Sequence, residues 1–350
     1  MPKGENMNEN KKLMRKSYSG MGWKLALFGV IATLFQIAYG VGLPSVFGDE
    51  ITKNSLYVWG QMILPMYMIA FPVTLLLATQ QQPVEEKPEK KKMSVGKFII
   101  CLFICAGICG VGAIIGFLVN LLAVTLANTQ ASASSADTLV NMMVGSSPFW
   151  RILTVGILAP IIEEILFRKL LVDRVVKYGE WMAIFSSGLM FGLFHGNFSQ
   201  FFFATGLGMF FAFIYIRTGK IWYTILMHMA VNLTTSVITV GIIQWMDMGQ
   251  LMQMATMDPN SKQAQVMALE MLPKLLVFYG WVFVLLCFAI TGIVLIIVAF
   301  AKKKFYLTKP AAYVGRGSFI AAWCNIGMLL FLIYTISNFV LNYLPINLGA

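Results

Sequence analysis

"LALFGVIATLFQIAYGVGLPSVF", residues 25–47, runs for 23 positions without one charged side chain. As a helix rising 1.5 Å per residue it would be about 34 Å long, more than the roughly 30 Å hydrocarbon core of a bilayer. A chain in hydrocarbon must satisfy its own backbone polar groups, so such a run reads as a membrane-spanning helix. It is too long for the apolar core of a cleaved signal peptide and reads as a retained anchor. The pattern recurs along the 350 residues, which are 58% hydrophobic and 12% charged. Nine spans are expected, near 24–47, 56–79, 98–127, 149–167, 181–199, 201–216, 221–245, 273–300 and 318–342. The expected fold class is therefore an all-α, polytopic integral membrane protein.

A net charge of +11 would suit nucleic-acid binding, but the positions of the basic residues point elsewhere. With a cytoplasmic N-terminus, 22 of the 26 Lys and Arg residues fall in inner segments, leaving Lys53, Arg151, Lys262 and Lys274 outside. This is the positive-inside asymmetry, so the charge reports topology and contact with anionic lipid, with no nucleic-acid partner. Four regions follow: 1–97, N-terminal helices and a basic linker; 98–148, a third span and an outer polar loop; 149–245, a core; and 246–350, a methionine-rich outer loop and two last helices. The methionine-rich stretch reads as an interfacial amphipathic helix rather than a soft-metal site. Cys101, Cys105 and Cys109, at helical spacing among Gly107, Gly110, Gly112 and Gly116, read as a packing face rather than a thiolate site.

Ionisable residues are nearly absent from the spans except in one interval. "APIIEEILFRKLL", residues 159–171, holds Glu163, Glu164 and Arg168, and the chain's two histidines, His195 and His228, follow within the next helices. A charged side chain at the bilayer centre costs roughly 2.5–3.5 kcal/mol even on the lenient scale, so a cluster of them marks a functional site. Glu164 and Arg168 are four apart and share a helix face, suited to an ion pair, whereas Glu163 is turned by about 100°. Pro160 removes one backbone hydrogen bond beside them, which predicts a kink or a widened turn. His228 and Asn232, also four apart, offer hydrogen-bond donors of the kind an oxyanion requires. A carboxylate, a second histidine and these donors together form the parts list of a hydrolase.

"EEILFR" (163–168), "FGLFH" (191–195) and "HMAVN" (228–232) resemble, complete and in order, the three motifs of the CaaX prenyl endopeptidase and bacteriocin-processing (CPBP, Abi-type) intramembrane proteases. The resemblance covers residues 149–245. It implies an intramembrane endopeptidase acting on a membrane-associated peptide or protein in a lipid bilayer. By position, Glu163 and His195 would activate water, His228 and Asn232 would stabilise the oxyanion, and Glu164 and Arg168 would shape the site. Cofactor use stays open: Glu163, His195 and His228 could hold a divalent ion such as zinc, but no H-E-x-x-H is present, and a metal-free glutamate mechanism is preferred. The expected location is a bacterial cell membrane with the N-terminus cytoplasmic and cleavage near the cytoplasmic face. The alternatives are a non-catalytic self-immunity or scaffold protein of the same fold, and a proton-coupled transporter.

These spans carry an internal conflict. His195 falls beyond mid-membrane on the fifth span, whereas His228 lies near the inner end of the seventh, yet the motifs should meet. Either the fifth helix starts later than 181, or "FRKLLVDRVVKY" (167–178) continues as a tilted helix.

Overall fold

The computed structural model describes residues 4–79, 90–126, 142–308, 312, 315 and 317–343, with side chains from residue 7 onward. Most of the predicted 80–97 linker and of the predicted polar loop before Ser147 lies outside these residues. The described residues form helices and no strand. They are α1 (Gly4–Phe47), α2 (Ser55–Thr79), α3 (Val95–Leu126), α4 (148–178), α5 (Glu180–Phe194), α6 (Phe198–Thr218), α7 (221–246), α8 (Met248–Thr256), α9 (Lys262–Ala301), α10 (Ser318–Trp323) and α11 (Ile326–Tyr343).

Among the described residues, seven helical stretches are long and apolar enough to cross a membrane. The other two predicted spans correspond to α4, which carries the charged motif, and to α5, a shorter apolar helix of 15 residues. Other boundaries shift as well. The first helix extends into the basic N-terminus, and the predicted 318–342 span is broken at Cys324 and Asn325, where Asn325 caps α11 by accepting from the Met328 N–H at 3.0 Å. The methionine-rich stretch is mostly helical: α8 occupies its first part, and α9 begins at Lys262 with Pro273 inside it.

Helix α4 is the central element. It does not stop at residue 167 but runs to Tyr178, because the charges beyond Phe167 are neutralised locally. Asp173 accepts from the Tyr215 hydroxyl at 2.7 Å and pairs with Lys169 at 2.8 Å. Arg174 donates to the carbonyls of Leu170 and Ala78. The chain then reverses at Gly179, whose φ of 142° suits glycine. Glu163 and His195 each stand sixteen residues from that turn, and the returning helix brings them onto one cavity. The continuation of α4, and not a later start of α5, removes the conflict between the motifs.

The helices that surround the site pack through glycines. A Cβ on Gly208 of α6 would lie 2.8 Å from the Gly188 Cα of α5, and one on Gly116 of α3 would lie 2.7 Å from the Phe198 carbonyl oxygen of α6. Between α3 and α9, a Cβ on Gly107 would sit 2.7 Å from the backbone of Gly292 and Ile293. Small residues at these crossings let backbones approach where no hydrophobic drive separates helix from lipid. Cys101, Ile104 and Cys105 of α3 are buried in one cluster with Leu207 and Phe210 of α6, and the two thiols are free. They fill a packing face, as their spacing among glycines suggests.

The predicted inner segments gather at one end of the bundle. The Lys91 N–H donates to the Thr218 carbonyl and the Ala312 N–H to the Lys177 carbonyl, both at 2.8 Å. Arg217 donates to both Glu180 oxygens at 2.8 Å, and Thr308 donates to the same carboxylate. At the opposite end, Arg151 donates to the Met143 carbonyl and to Gln244, and Trp59 donates to Ser146.

The α3–α9 contact predicts a sign difference between two glycines of the membrane region. Gly107→Ala should lower the melting temperature of the solubilised protein, because overpacking against backbone costs about 1–3 kcal/mol. Gly280→Ala, with nothing within 4 Å of the added Cβ, should leave it unchanged or raise it, since alanine is the better helix former. Equal melting curves for the two variants would count against the close crossing.

Candidate active site

The two adjacent glutamates of α4 separate as helical geometry requires. Glu164 and Arg168 are fully buried and form an ion pair with Oε2 to Nε at 3.1 Å. The contact is not aligned as a hydrogen bond, and Arg168 Nε and Nη1 have no hydrogen-bond acceptor. Aromatic faces occupy the guanidinium instead: it lies 4.8 Å from the Phe191 ring centre and 5.4 Å from that of Phe211. Such contacts are worth about 2 kcal/mol or more when desolvated. Nη2 also reaches the Gly208 carbonyl of α6 at 3.5 Å.

The second oxygen of Glu164 holds His228. Nδ1 of His228 donates to Oε1 at 3.0 Å, and the other ring nitrogen, Nε2, lies 3.5 Å from Oε2 of Glu163. A relay therefore runs from Arg168 through Glu164 and His228 to Glu163, whose side chain is 26% exposed to the cavity. His228 itself is buried. Its position follows from the hairpin at Gly219, φ 62°, which sets it beside Phe211 of α6 with ring centres 5.5 Å apart.

His195 caps the C-terminus of α5. Its Nδ1 lies 2.8 Å from the Phe191 carbonyl oxygen. A carbonyl only accepts, so Nδ1 carries the proton and Nε2 of the neutral ring is left as an acceptor. Phe191 is the residue that links the motifs. Its ring is edge-on to His195 at 4.9 Å and to His228 at 5.7 Å while its face carries Arg168.

Asn232 is placed by the proline of α4. Residues Arg151–Leu158 take wide π turns, in which the Ala159 N–H donates five residues back to the Thr154 carbonyl. The next carbonyl, Val155, would be served in the same pattern by residue 160, a proline without an N–H. Asn232 Nδ2 donates to that carbonyl at 2.9 Å. The widened turn expected near Pro160 is thus present, and one of the two amide protons of Asn232 is committed to it. The second remains available.

Glu163, His195, His228 and Asn232 all line one cavity of about 420 Å³, together with Tyr67 and Gln200. The structure brings together all six candidate site residues, with Glu164 and Arg168 behind the wall rather than on it. The residues do not fit a three-ligand metal site. Among the described residues no group of three or more His, Cys, Asp or Glu side chains is placed to hold a metal ion. Sequence reasoning missed the roles of Phe191 and Phe211 around Arg168 and of the Val155 carbonyl. Phe191 was visible as the first letter of F-x-x-x-H, whereas nothing local marks Phe211.

Comparison with known proteins bears on the same segment. Residues 145–234 match the family model described as type II CAAX prenyl endopeptidase Rce1-like. The chain is also 29% identical over 203 residues to a Bacillus subtilis (strain 168) protein named "Putative membrane peptidase YdiL", covering 58% of this chain and 78% of the relative. No solved structure matches the chain.

The buried pair predicts unequal roles for the two glutamates in stability. Removing one partner of a buried ion pair costs about 3–5 kcal/mol, because the other is left uncompensated. Glu164→Gln should therefore lower the melting temperature, and adding Arg168→Gln should recover part of the loss. Glu163→Gln should change it little. A double-mutant cycle on purified protein measures the coupling, and additive effects of the Glu164 and Arg168 changes would refute the pair.

Proposed function

We propose that this membrane protein, whose residues 145–234 match the Rce1-like CAAX prenyl endopeptidase family model, is an intramembrane endopeptidase that hydrolyses peptide bonds with a water held between Glu163 and His195. The observation that carries this reading is the convergence of Glu163, His195, His228 and Asn232 on one cavity, with a free acceptor nitrogen on His195.

In this reading Glu163 removes a proton from the water as His195 Nε2 accepts a hydrogen bond from its second O–H. The oxygen adds to the scissile carbonyl carbon, and the carbonyl oxygen takes up negative charge. The uncommitted amide proton of Asn232 faces that oxyanion. His228 completes the pair of donors through Nε2 when that nitrogen carries a proton, while Nδ1 stays anchored on Glu164. Fixed donors in a poorly solvated cavity act strongly on developing charge without having to reorient. Collapse of the tetrahedral species breaks the C–N bond, and the proton taken by Glu163 passes to the leaving amine. Glu164 and Arg168 are positioning residues that hold the imidazole of His228. No step needs a metal ion.

Substitutions separate these roles. Glu163→Gln and His195→Ala should each reduce turnover of a membrane-associated peptide substrate by about 100-fold or more, the range for loss of a general base, with abundance and melting temperature near those of the parent protein. Unchanged turnover in Glu163→Gln would remove Glu163 from the mechanism, and absence of turnover in the parent protein would leave the scaffold reading standing. A strong chelator should leave turnover unaffected, and restoration of chelator-lost activity by one divalent ion would overturn the metal-free mechanism.

A further inference from the structure

The cavity is not placed symmetrically along the bundle. Its lining runs from His228 and Leu166 toward Met62, Met143, Val155, Gln200 and Ser236. Met62 lies two turns from the start of α2, Met143 precedes α4, and Gln200 stands at the first turn of α6. All are on the side of Arg151 and Trp59, the end opposite the basic segments. None of the residues that tie the basic end together, such as Ala78, Lys177, Glu180 and Thr218, lines the cavity.

Beneath the site, toward the basic end, Leu170, Leu171, Val175 and Tyr178 of α4 are buried in one apolar cluster with Tyr215 of α6 and Tyr18 of α1. The Asp173 and Tyr215 hydrogen bond crosses the same layer. Arg168, wholly buried above it, closes the floor.

We infer that the substrate reaches Glu163 and His195 from the end of the bundle opposite its basic segments, as a locally extended peptide rather than as a helix. With the topology set by the basic residues, that end is the extracytoplasmic one, and the expectation of cleavage near the cytoplasmic face is reversed. Backbone hydrogen bonding fixes the form of the substrate. In a helix the scissile carbonyl already accepts an N–H from four residues on, which leaves it unavailable to the water and to Asn232. An extended segment is slimmer, and the polar side chains along the route, Gln200, Asn232, Thr235 and Ser236, offer hydrogen bonds to its exposed backbone. The meaning of this route for a substrate rests on the peptidase reading, whereas the route itself does not.

The test labels single cysteines with a membrane-impermeant maleimide in sealed vesicles of both orientations. Ser236→Cys and Gln200→Cys report the cavity in a chain whose five native cysteines are replaced by alanine. Met252→Cys, in α8, marks the end of the bundle opposite the basic segments, and Lys304→Cys marks the basic end. A chain that keeps only Cys109, a native thiol of the cavity wall, serves as a second probe if the fully substituted chain folds poorly. The cavity cysteines should label several-fold faster in the vesicle orientation that labels Met252→Cys. Labelling in step with Lys304→Cys, or no labelling from either side, would overturn the inference. A second arm offers an impermeant peptide substrate to the same vesicles. Correct labelling without cleavage in either orientation defeats the peptidase reading alone, and cleavage only in the orientation that labels Lys304→Cys defeats the route alone.

Discussion

The charge pair of Glu164 and Arg168 is the constraint from which the rest of the arrangement follows. Two ions wholly removed from water cost several kcal/mol each after relaxation, and one mutual contact rarely repays that. The remainder here comes from other helices: Phe191 of α5 and Phe211 of α6 face the guanidinium, and His228 of α7 donates to the carboxylate. Holding one arginine comfortable therefore fixes three neighbouring helices against α4. The geometry of the candidate site is a by-product of that packing, since the imidazole that satisfies Glu164 turns its other nitrogen toward Glu163.

Much of this was legible in the sequence for a simple reason. Residues four apart share a helix face whatever the tertiary structure, so the pairings within 163–168 and 228–232 could be read directly. The extent of α4 could not. Arg168, Lys169, Asp173, Arg174 and Lys177 look like the aqueous end of a span, but Asp173 is buried and bonded to Tyr215, 42 positions away. A long-range bond of that kind leaves no local periodicity. The depth of His195 was misjudged for the same reason, because it depends on where the turn at Gly179 falls relative to the end of α4.

Outside the segment that matches the family model, the chain supplies walls rather than chemistry. Helix α3 touches the elements of the candidate site through Gly112 and Gly116 against α6, and carries α9 on its other side through Gly107. Helix α1 packs against α11, where a Cβ on Gly22 would lie 2.6 Å from the Gly327 backbone. These seams are made by the absence of side chains, which is why composition and hydropathy count them as ordinary apolar spans. They set how closely the bundle closes around the cavity and so how much water it can admit.

The carbonyl of Val155 binds two distant positions into one. It lacks a partner because residue 160 is proline, and it finds one because residue 232 carries an amide. An aspartate at 232 would set an acceptor against an acceptor, and an ordinary residue at 160 would supply the missing N–H and release the asparagine from its orientation. The helix break and the amide are thus a single hereditary unit. Across the descendants of such a chain, changes at 160 and 232 would be tolerated together far more readily than either alone, although 72 residues separate them.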